Sequence, residues 1–526
     1  MRIQRHFRPA LCATMALGMA GTAAAETFRW ASVTDPQTMD PHAVNAAPVT
    51  SFLNNVYEGL VRRDGDLAIE PSLATAWEPL EGEDGWRFTL REGVTYHDGA
   101  EFTAEDVRFS YERAASEESD VRSWFAPVTE FRVVDDYTVE FVTDGPNPLF
   151  PESIANFLIM DSGWAETNGA ERPSRDAENF ATRNANGTGP YVLASRDPGV
   201  ETRLTPFDGW WGEDRGNVTE GIFTPIGNPS TGLAALLSGE IDFIEPIPIQ
   251  DVARVENQDG FKVIQGLETR VIMFGFGHDH EALLYSDDVS GENPFTDPQV
   301  RLAVAHAIDV DTINRVVMRG TVEPAGQLVP EGISGYSEAH AGRPAYDPEQ
   351  ARALLAEAGY PEGFSFGLKC TNDRYINDEA VCRAAASMLA EVGLDAELTT
   401  VPVRNYWEQL RADDYDMYLL GWSPGTFDHE HPIRFLMHTQ DDEAKLGSWN
   451  FGNFSNDRVD ELLPMIQNEL DPQARQEMID EVVAIMQEET AYVPLYTEPL
   501  IWAAKENVDL TQRADNFFML RWVTVE

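Results

Sequence analysis

The sequence predicts an α/β protein of two or three lobes, and three observations carry that reading. Alternating apolar and polar runs that read as strands are interleaved with helices opening on Asx-Pro or Thr caps. The chain has 526 residues, more than one hydrophobic core organises. Its 43% hydrophobic and 10% aromatic content is enough to pack those lobes. No 20-to-50-residue repeat, low-complexity tract or long Gly/Ser linker interrupts the chain, so the lobes should be joined by ordinary strands and short loops.

Taken in order, residues 1–25 read as an export signal. Arg2, Arg5 and Arg8 form a basic start, Leu11 to Ala20 an apolar run, and Ala23-Ala24-Ala25 a small-residue cleavage site that would expose Glu26. Cys12 follows Pro9-Ala10-Leu11 and sits too early for a lipid anchor, and no other stretch approaches the roughly 18 to 20 apolar residues that cross a bilayer. Strand-like runs follow at Thr27-Phe-Arg-Trp, Trp86-Arg-Phe-Thr-Leu, Thr138-Val-Glu-Phe-Val, Phe261-Lys-Val-Ile and Ala396-Glu-Leu-Thr-Thr-Val. Helices are expected from Thr103, Asp297-Pro, Asp347-Pro and Asp471-Pro, where a side-chain cap precedes apolar residues at three-to-four spacing. The third of these should end at Gly359, with Pro361 blocking continuation.

Acids outnumber bases heavily, 89 Asp and Glu against 38 Lys and Arg, for a formal net charge of -51. Nucleic acid is excluded as a partner. The acids are scattered and form no tail, which suits a strongly hydrated surface or a field that draws in cations. Beyond the leader only Cys370 and Cys382 remain, an even pair that an oxidising compartment would join as a disulfide. A 12-residue separation without C-x-x-C spacing or an intervening histidine fits zinc poorly.

Trp86-Arg-Phe-Thr-Leu-Arg-Glu-Gly-Val-Thr-Tyr-His-Asp-Gly-Ala-Glu-Phe-Thr-Ala-Glu-Asp-Val-Arg-Phe-Ser resembles the most specific block of the extracellular solute-binding proteins, family 5, that serve peptide, nickel and opine ABC importers. Agreement continues in order through Met39-Asp-Pro, Val56-Tyr-Glu-Gly-Leu, Leu73-Ala-Thr-Ala-Trp, Gly187-Thr-Gly-Pro-Tyr, Leu236-Leu-Ser-Gly-Glu-Ile-Asp, Val300-Arg-Leu-Ala-Val-Ala-His-Ala-Ile-Asp and Gly421-Trp-Ser. The resemblance implies a two-lobed α/β periplasmic-binding-protein fold of type II (cluster C) with an extra small inserted domain. Residues 26–65, 190–276 and 490–526 would form lobe I, 66–189 the inserted domain and 277–489 lobe II, with two crossing strands as the hinge.

Candidate ligand residues fall in two loops and the hinge. Gly421-Trp-Ser-Pro-Gly-Thr-Phe-Asp-His-Glu-His lies at the carboxyl end of an apolar strand, where α/β lobes bind ligands. In peptide-binding members an aspartate three residues after the tryptophan receives the ligand's amine; here that place is Gly425, and Asp428 is the candidate cation holder. Asp428 reads equally as a turn or helix cap, and Trp422 as a wall or a ligand-facing ring, with Thr426 between them. Arg374, beside Tyr375, lies where relatives hold a carboxylate, an arginine's bidentate task; the alternative is a surface ion pair with Asp373 or Asp378. A Cys370–Cys382 bridge would stiffen that loop. Phe274 or Phe276 would touch ligand from the hinge or pack in the core, and Val44 to Thr50 would line the opposite wall. His429 and His431 permit a metal reading or sit solvated at a turn.

The resemblance implies a periplasmic, monomeric receptor without cofactor or metal. It would close around a small carboxylated organic solute, peptide-, opine- or betaine-like, and deliver it to a membrane ABC permease complex. A receptor for a metal chelate is the alternative within the class, and a secreted hydrolase the alternative outside it. No G-x-S-x-G, H-E-x-x-H or S-x-x-K motif supports a hydrolase, and His97-Asp98-Gly99 reads as a turn before a helix.

Overall fold

Local capping decides where the helices start. In this computed structural model, which describes residues 26–526 except 176, 214, 287 and 290, Asp297, Asp347 and Asp471 each accept N–H groups of the turn they open. The helices that follow are Pro298–Ala307, Pro348–Glu357 and Pro472–Glu488. Helix Ala104–Ala114 starts one residue after Thr103, whose N–H donates to Asp106 at 3.0 Å. The export signal at 1–25 lies outside the described residues.

Among the described residues the strands gather into an eleven-stranded sheet. Along its main path the order is Leu394–Val401, Phe364–Thr371, Met417–Trp422, Phe261–Phe276, Tyr492–Lys505, Phe243–Glu245, Glu26–Ser32, Val218–Pro225, Glu201–Pro206, Tyr191–Asp197. Glu26–Ser32 runs parallel to both of its neighbours, and Phe364–Thr371 is parallel to both of its own. Between these two parallel zones stand the antiparallel strands Phe261–Phe276 and Tyr492–Lys505, which belong to both. Phe261–Phe276 is one strand of 16 residues, where the alternation in the sequence marks only its first four.

Each zone buries its own core. Phe28, Trp30, Phe223, Phe243, Trp502 and Phe518 fill the first. Tyr406, Tyr418, Leu420, Leu462 and Val482 are among those filling the second. A further cluster, from Leu236 and Ile244 through Ile272 and Phe274 to Phe366 and Leu389, runs under the crossing strands without a break. A separate four-stranded antiparallel sheet, Ala74–Pro79, Gly85–Leu90, Thr138–Thr143 and Val128–Asp135, packs on helix Ala104–Ala114 through Phe88, Phe141 and Val107. The segment beyond Leu158 packs elsewhere: Met160, Ala165 and Ala181 join the core of Phe28 and Trp30.

The shared sequence blocks meet at one seam. A Cβ on Gly187 would stand 2.0 Å from the Val56 carbonyl oxygen, so only glycine fits. Thr188 Oγ1 donates to buried Glu58 at 3.0 Å, as do the indoles of Trp210 and Trp211 at 3.1 and 2.8 Å. His97 hydrogen-bonds the Gly189 carbonyl at 3.0 Å, and burial lowers its pKa to about 4. These blocks hold the small sheet onto the first zone.

Cys370, on strand Phe364–Thr371, is joined to Cys382 in helix Asp378–Glu391, 12 residues on, and both are fully buried. The cross-link removes loop-closure entropy from the unfolded chain, about 3 kcal/mol for a loop of this length. A Cys370→Ala/Cys382→Ala variant should therefore lose about that much stability in reversible chemical denaturation; a loss below about 1 kcal/mol would show that the bridge contributes little.

Candidate functional site

The two crossing strands pair from Phe261–Lys505 to Leu267–Pro499 and resume at Val271–Thr497. Between these stretches the ladder is open at Glu268, Thr269 and Arg270, and other groups take its place. Thr269 N–H donates to Ala514 O at 3.0 Å, and its hydroxyl meets the Ser423 hydroxyl at 2.6 Å. Arg270 pairs with Glu268 at 3.0 Å and with buried Glu498 at 3.1 Å. Glu498 also accepts the Ile376 N–H at 2.8 Å. Burial and then the Glu268 charge push the Glu498 carboxyl up to about 7, against the pull of Arg270.

Above this break lies a cavity of about 460 Å³. Leu267 to Thr269 and Thr497 line it from the hinge, Gly65 to Leu67 with Arg513 and Ala514 from the first zone, and Pro330 to Ile333 from the second. Arg63 reaches across: its guanidinium donates to the Thr426 carbonyl at 3.4 Å and lies 4.4 Å from the Phe427 ring centre. Leu67, Val329 and Ile333 close one end as a small apolar cluster.

The residues singled out from the sequence separate into three groups. Arg374 is exposed on the loop behind the disulfide, with its guanidinium 5.4 Å from the Tyr375 ring centre. Neither expected surface partner holds it: Asp373 accepts the Val403 N–H, and Asp378 accepts the backbone N–H groups of Arg374 and Tyr375. Two residues on, Ile376 bonds Glu498 of the crossing strand, which places the loop beside the ladder break. Thr426 lies at the cross-cleft contact, and its Oγ1 is buried with no hydrogen-bond partner among the described residues.

Tyr375 and Trp422 are supports. The Tyr375 hydroxyl accepts the Gly421 N–H at 2.8 Å and anchors the end of strand Met417–Trp422. Trp422 donates to His431 Nδ1 at 3.2 Å and packs on Phe435 and Trp449, so it forms wall.

Two readings are corrected. Asp428 does not hold a free cation. It is 1% exposed; Arg475 grips it at 2.7 and 2.8 Å, and its oxygens also accept from Ser334 and from the Glu430 N–H, both at 2.8 Å. Phe276 is fully buried against Phe295, 5.2 Å away, at the end of its strand where it faces Met417, and is core rather than hinge contact; Phe274 is buried too.

His429 and His431 do not converge on a common point. The first bonds the Gly335 carbonyl and the second the Trp422 indole, and burial lowers their pKa values to about 4 and about 3. Among the described residues no group of three metal-binding side chains forms, and no helix is long and apolar enough to cross a membrane. Arg63 and Glu498 escaped the sequence reading, since only the fold reveals which charges lie beside the crossing.

Two parallel-sheet zones joined by crossing strands, with a cavity above the crossing, define a solute-binding protein. The profile of the bacterial extracellular solute-binding proteins, family 5 (middle), matches residues 68–444, and the chain belongs to that family, whose members are binding components for transport rather than enzymes. It is 25% identical over 480 residues to the glutathione-binding protein GsiB of Salmonella paratyphi A, covering 90% of this chain and 89% of that one. HbpA2 from Haemophilus parasuis superposes with a TM-score of 0.82 at 22% identity, over 95% of this chain and 100% of that one. The periplasmic binding protein DppA from Helicobacter pylori, in complex with peptide STSA, gives 0.71 at 22% identity over 95% and 98%.

The buried Asp428–Arg475 pair yields a direct check. Asp428→Ala leaves Arg475 buried without its partner, and should cost about 3–5 kcal/mol in urea unfolding. A loss under about 1 kcal/mol would mean that the pair does not brace this loop.

Proposed function

We propose that this chain is the periplasmic, monomeric receptor of an ABC importer, exported by a signal cleaved after Ala25, and that it captures a small carboxylated, peptide-like solute between its lobes for delivery to the permease. The observation that carries the reading is Arg374. This guanidinium lies within salt-bridge distance of no acid among the described residues, with its charge felt by Glu498, stands on a loop braced by a disulfide and adjoins the hinge through Ile376 and Glu498. A carboxylate arriving there meets a planar donor whose supporting loop is already ordered, which lowers the entropy lost on binding.

Closure follows from the same geometry. Each lobe presents part of the cavity wall, so a solute touching both walls favours the form in which they approach. The kinship with a glutathione-binding protein and a peptide-bound neighbour supports a ligand bearing carboxylate groups on a short peptide frame.

Calorimetry with reduced glutathione and with alanyl-alanine tests the reading. At a concentration 100 times its dissociation constant, a true ligand stabilises the protein by about 2.7 kcal/mol. Arg374→Ala should weaken binding about 10- to 100-fold, the loss of one charge-assisted hydrogen-bonded contact, and leave the melting temperature of the empty protein unchanged. Undiminished affinity in that variant would overturn the assignment.

A further inference from the structure

Strands Glu26–Ser32 and Phe243–Glu245 run parallel and end level, Ser32 beside Glu245. Beyond their carboxyl ends, where α/β sheets open onto ligand crevices, lies a second cavity of about 90 Å³. Its walls include Trp30, Phe52, Phe223 and Phe518, and Glu245 and Asp515 bring the acids. Ala514 lines the interlobe cavity and Asp515 this one, so a single step of backbone separates the two.

The two acids differ. Asp515 is ion-paired with Arg513, which bonds both of its oxygens, and it also accepts the Phe517 N–H at 3.0 Å. Glu245 is 8% exposed, and its Oε2 has no hydrogen-bond partner among the described residues. A buried carboxylate without a counter-charge is expensive, and no cation among the described residues compensates this one. Aromatic faces around a lone carboxylate are the surroundings in which an ammonium or guanidinium group is held, by charge on one side and by ring quadrupoles on the others.

We propose that this cavity is a subsite of the interlobe ligand site that receives the cationic end of the solute, an ammonium or guanidinium group, with Glu245 as its counter-ion. The inference rests on the receptor reading above and assigns the second pole of the ligand, opposite the carboxylate that Arg374 would hold. It fits the occupation of Asp428 by Arg475, which removes that acid from the cleft's supply of free charge.

The proton balance agrees. In the empty cavity burial, and then the Asp515 charge, push Glu245 up to about 8. The charged group facing it is Asp515, tied to Arg513, while helix Ala47–Leu53 contributes no titratable side chain. An arriving cation favours the carboxylate, so binding near pH 7 should release a proton from Glu245. The folded value lies above the ordinary 4.5, so the protein loses stability as pH rises from there towards about 8. Glu245→Gln removes that loss and should melt no lower than wild type.

The test compares alanyl-alanine and glutathione with their N-acetyl derivatives on wild type, E245Q and R374A, by calorimetry in phosphate and in Tris. Wild type should bind the free-amine probes about 10- to 100-fold more tightly than the acetylated ones and release a proton only with the former. E245Q should bring that ratio close to one and abolish the proton release, while R374A weakens both forms alike. A ratio that persists in E245Q overturns the subsite and leaves the receptor reading standing. If neither form of either probe binds wild type, the receptor reading for peptide-like solutes fails, and the subsite with it.

Discussion

Everything in this molecule hangs on two strands that cannot finish their ladder. Phe261–Phe276 and Tyr492–Lys505 carry the sheet from one parallel zone to the other, and for three residues at their crossing the backbone bonds stop. Backbone groups left unbonded in a protein interior are costly; at the break the Thr269 N–H is satisfied by the Ala514 carbonyl, while side-chain bonds from Thr269 to Ser423 and from Arg270 to Glu268 and Glu498 hold the segment in place. These partners come from different parts of the chain. The crossing is thus bonded to the loop after Arg513 and, through Glu498 and Ile376, to the loop that carries Arg374.

The helix starts could be read from the sequence because they are local events: an Asp two residues before the N–H it accepts needs no distant partner. The short strands were legible for the same reason. The long hinge strand was not, because Gly266 and the run Glu268-Thr269-Arg270 interrupt the alternation that signals a strand. What keeps it continuous is the distant strand Tyr492–Lys505. That partner itself contains Pro494 and Pro499, residues that argue against a central strand when seen alone.

The site was legible in part. Proximity in sequence put Arg374, Tyr375 and the cysteine pair within one strand–loop–helix unit, and the cysteines are joined there. Asp428 failed because its fate is decided by Arg475, 47 residues on and on another helix. Phe276 failed because alternation tells which residues share a face but not which end of a 16-residue strand lies at the crossing. Glu245 drew no notice in an otherwise apolar stretch, since an acid between Ile244 and Pro246 looks no different from the scattered surface acids until its neighbours prove to be aromatic rings.

The order of strands in the main sheet also governs how the protein comes into being. Glu26–Ser32 is made first, yet its flanking strands come from Val218–Pro225 and Phe243–Glu245, and the strand that ties this zone to the other is Tyr492–Lys505. Neither zone is joined to the other until Tyr492–Lys505 has been made, so the crossing is completed near the end of synthesis. Contacts between residues so far apart in sequence make for slow assembly. The joint between the two zones is thus among the last parts of the molecule able to form.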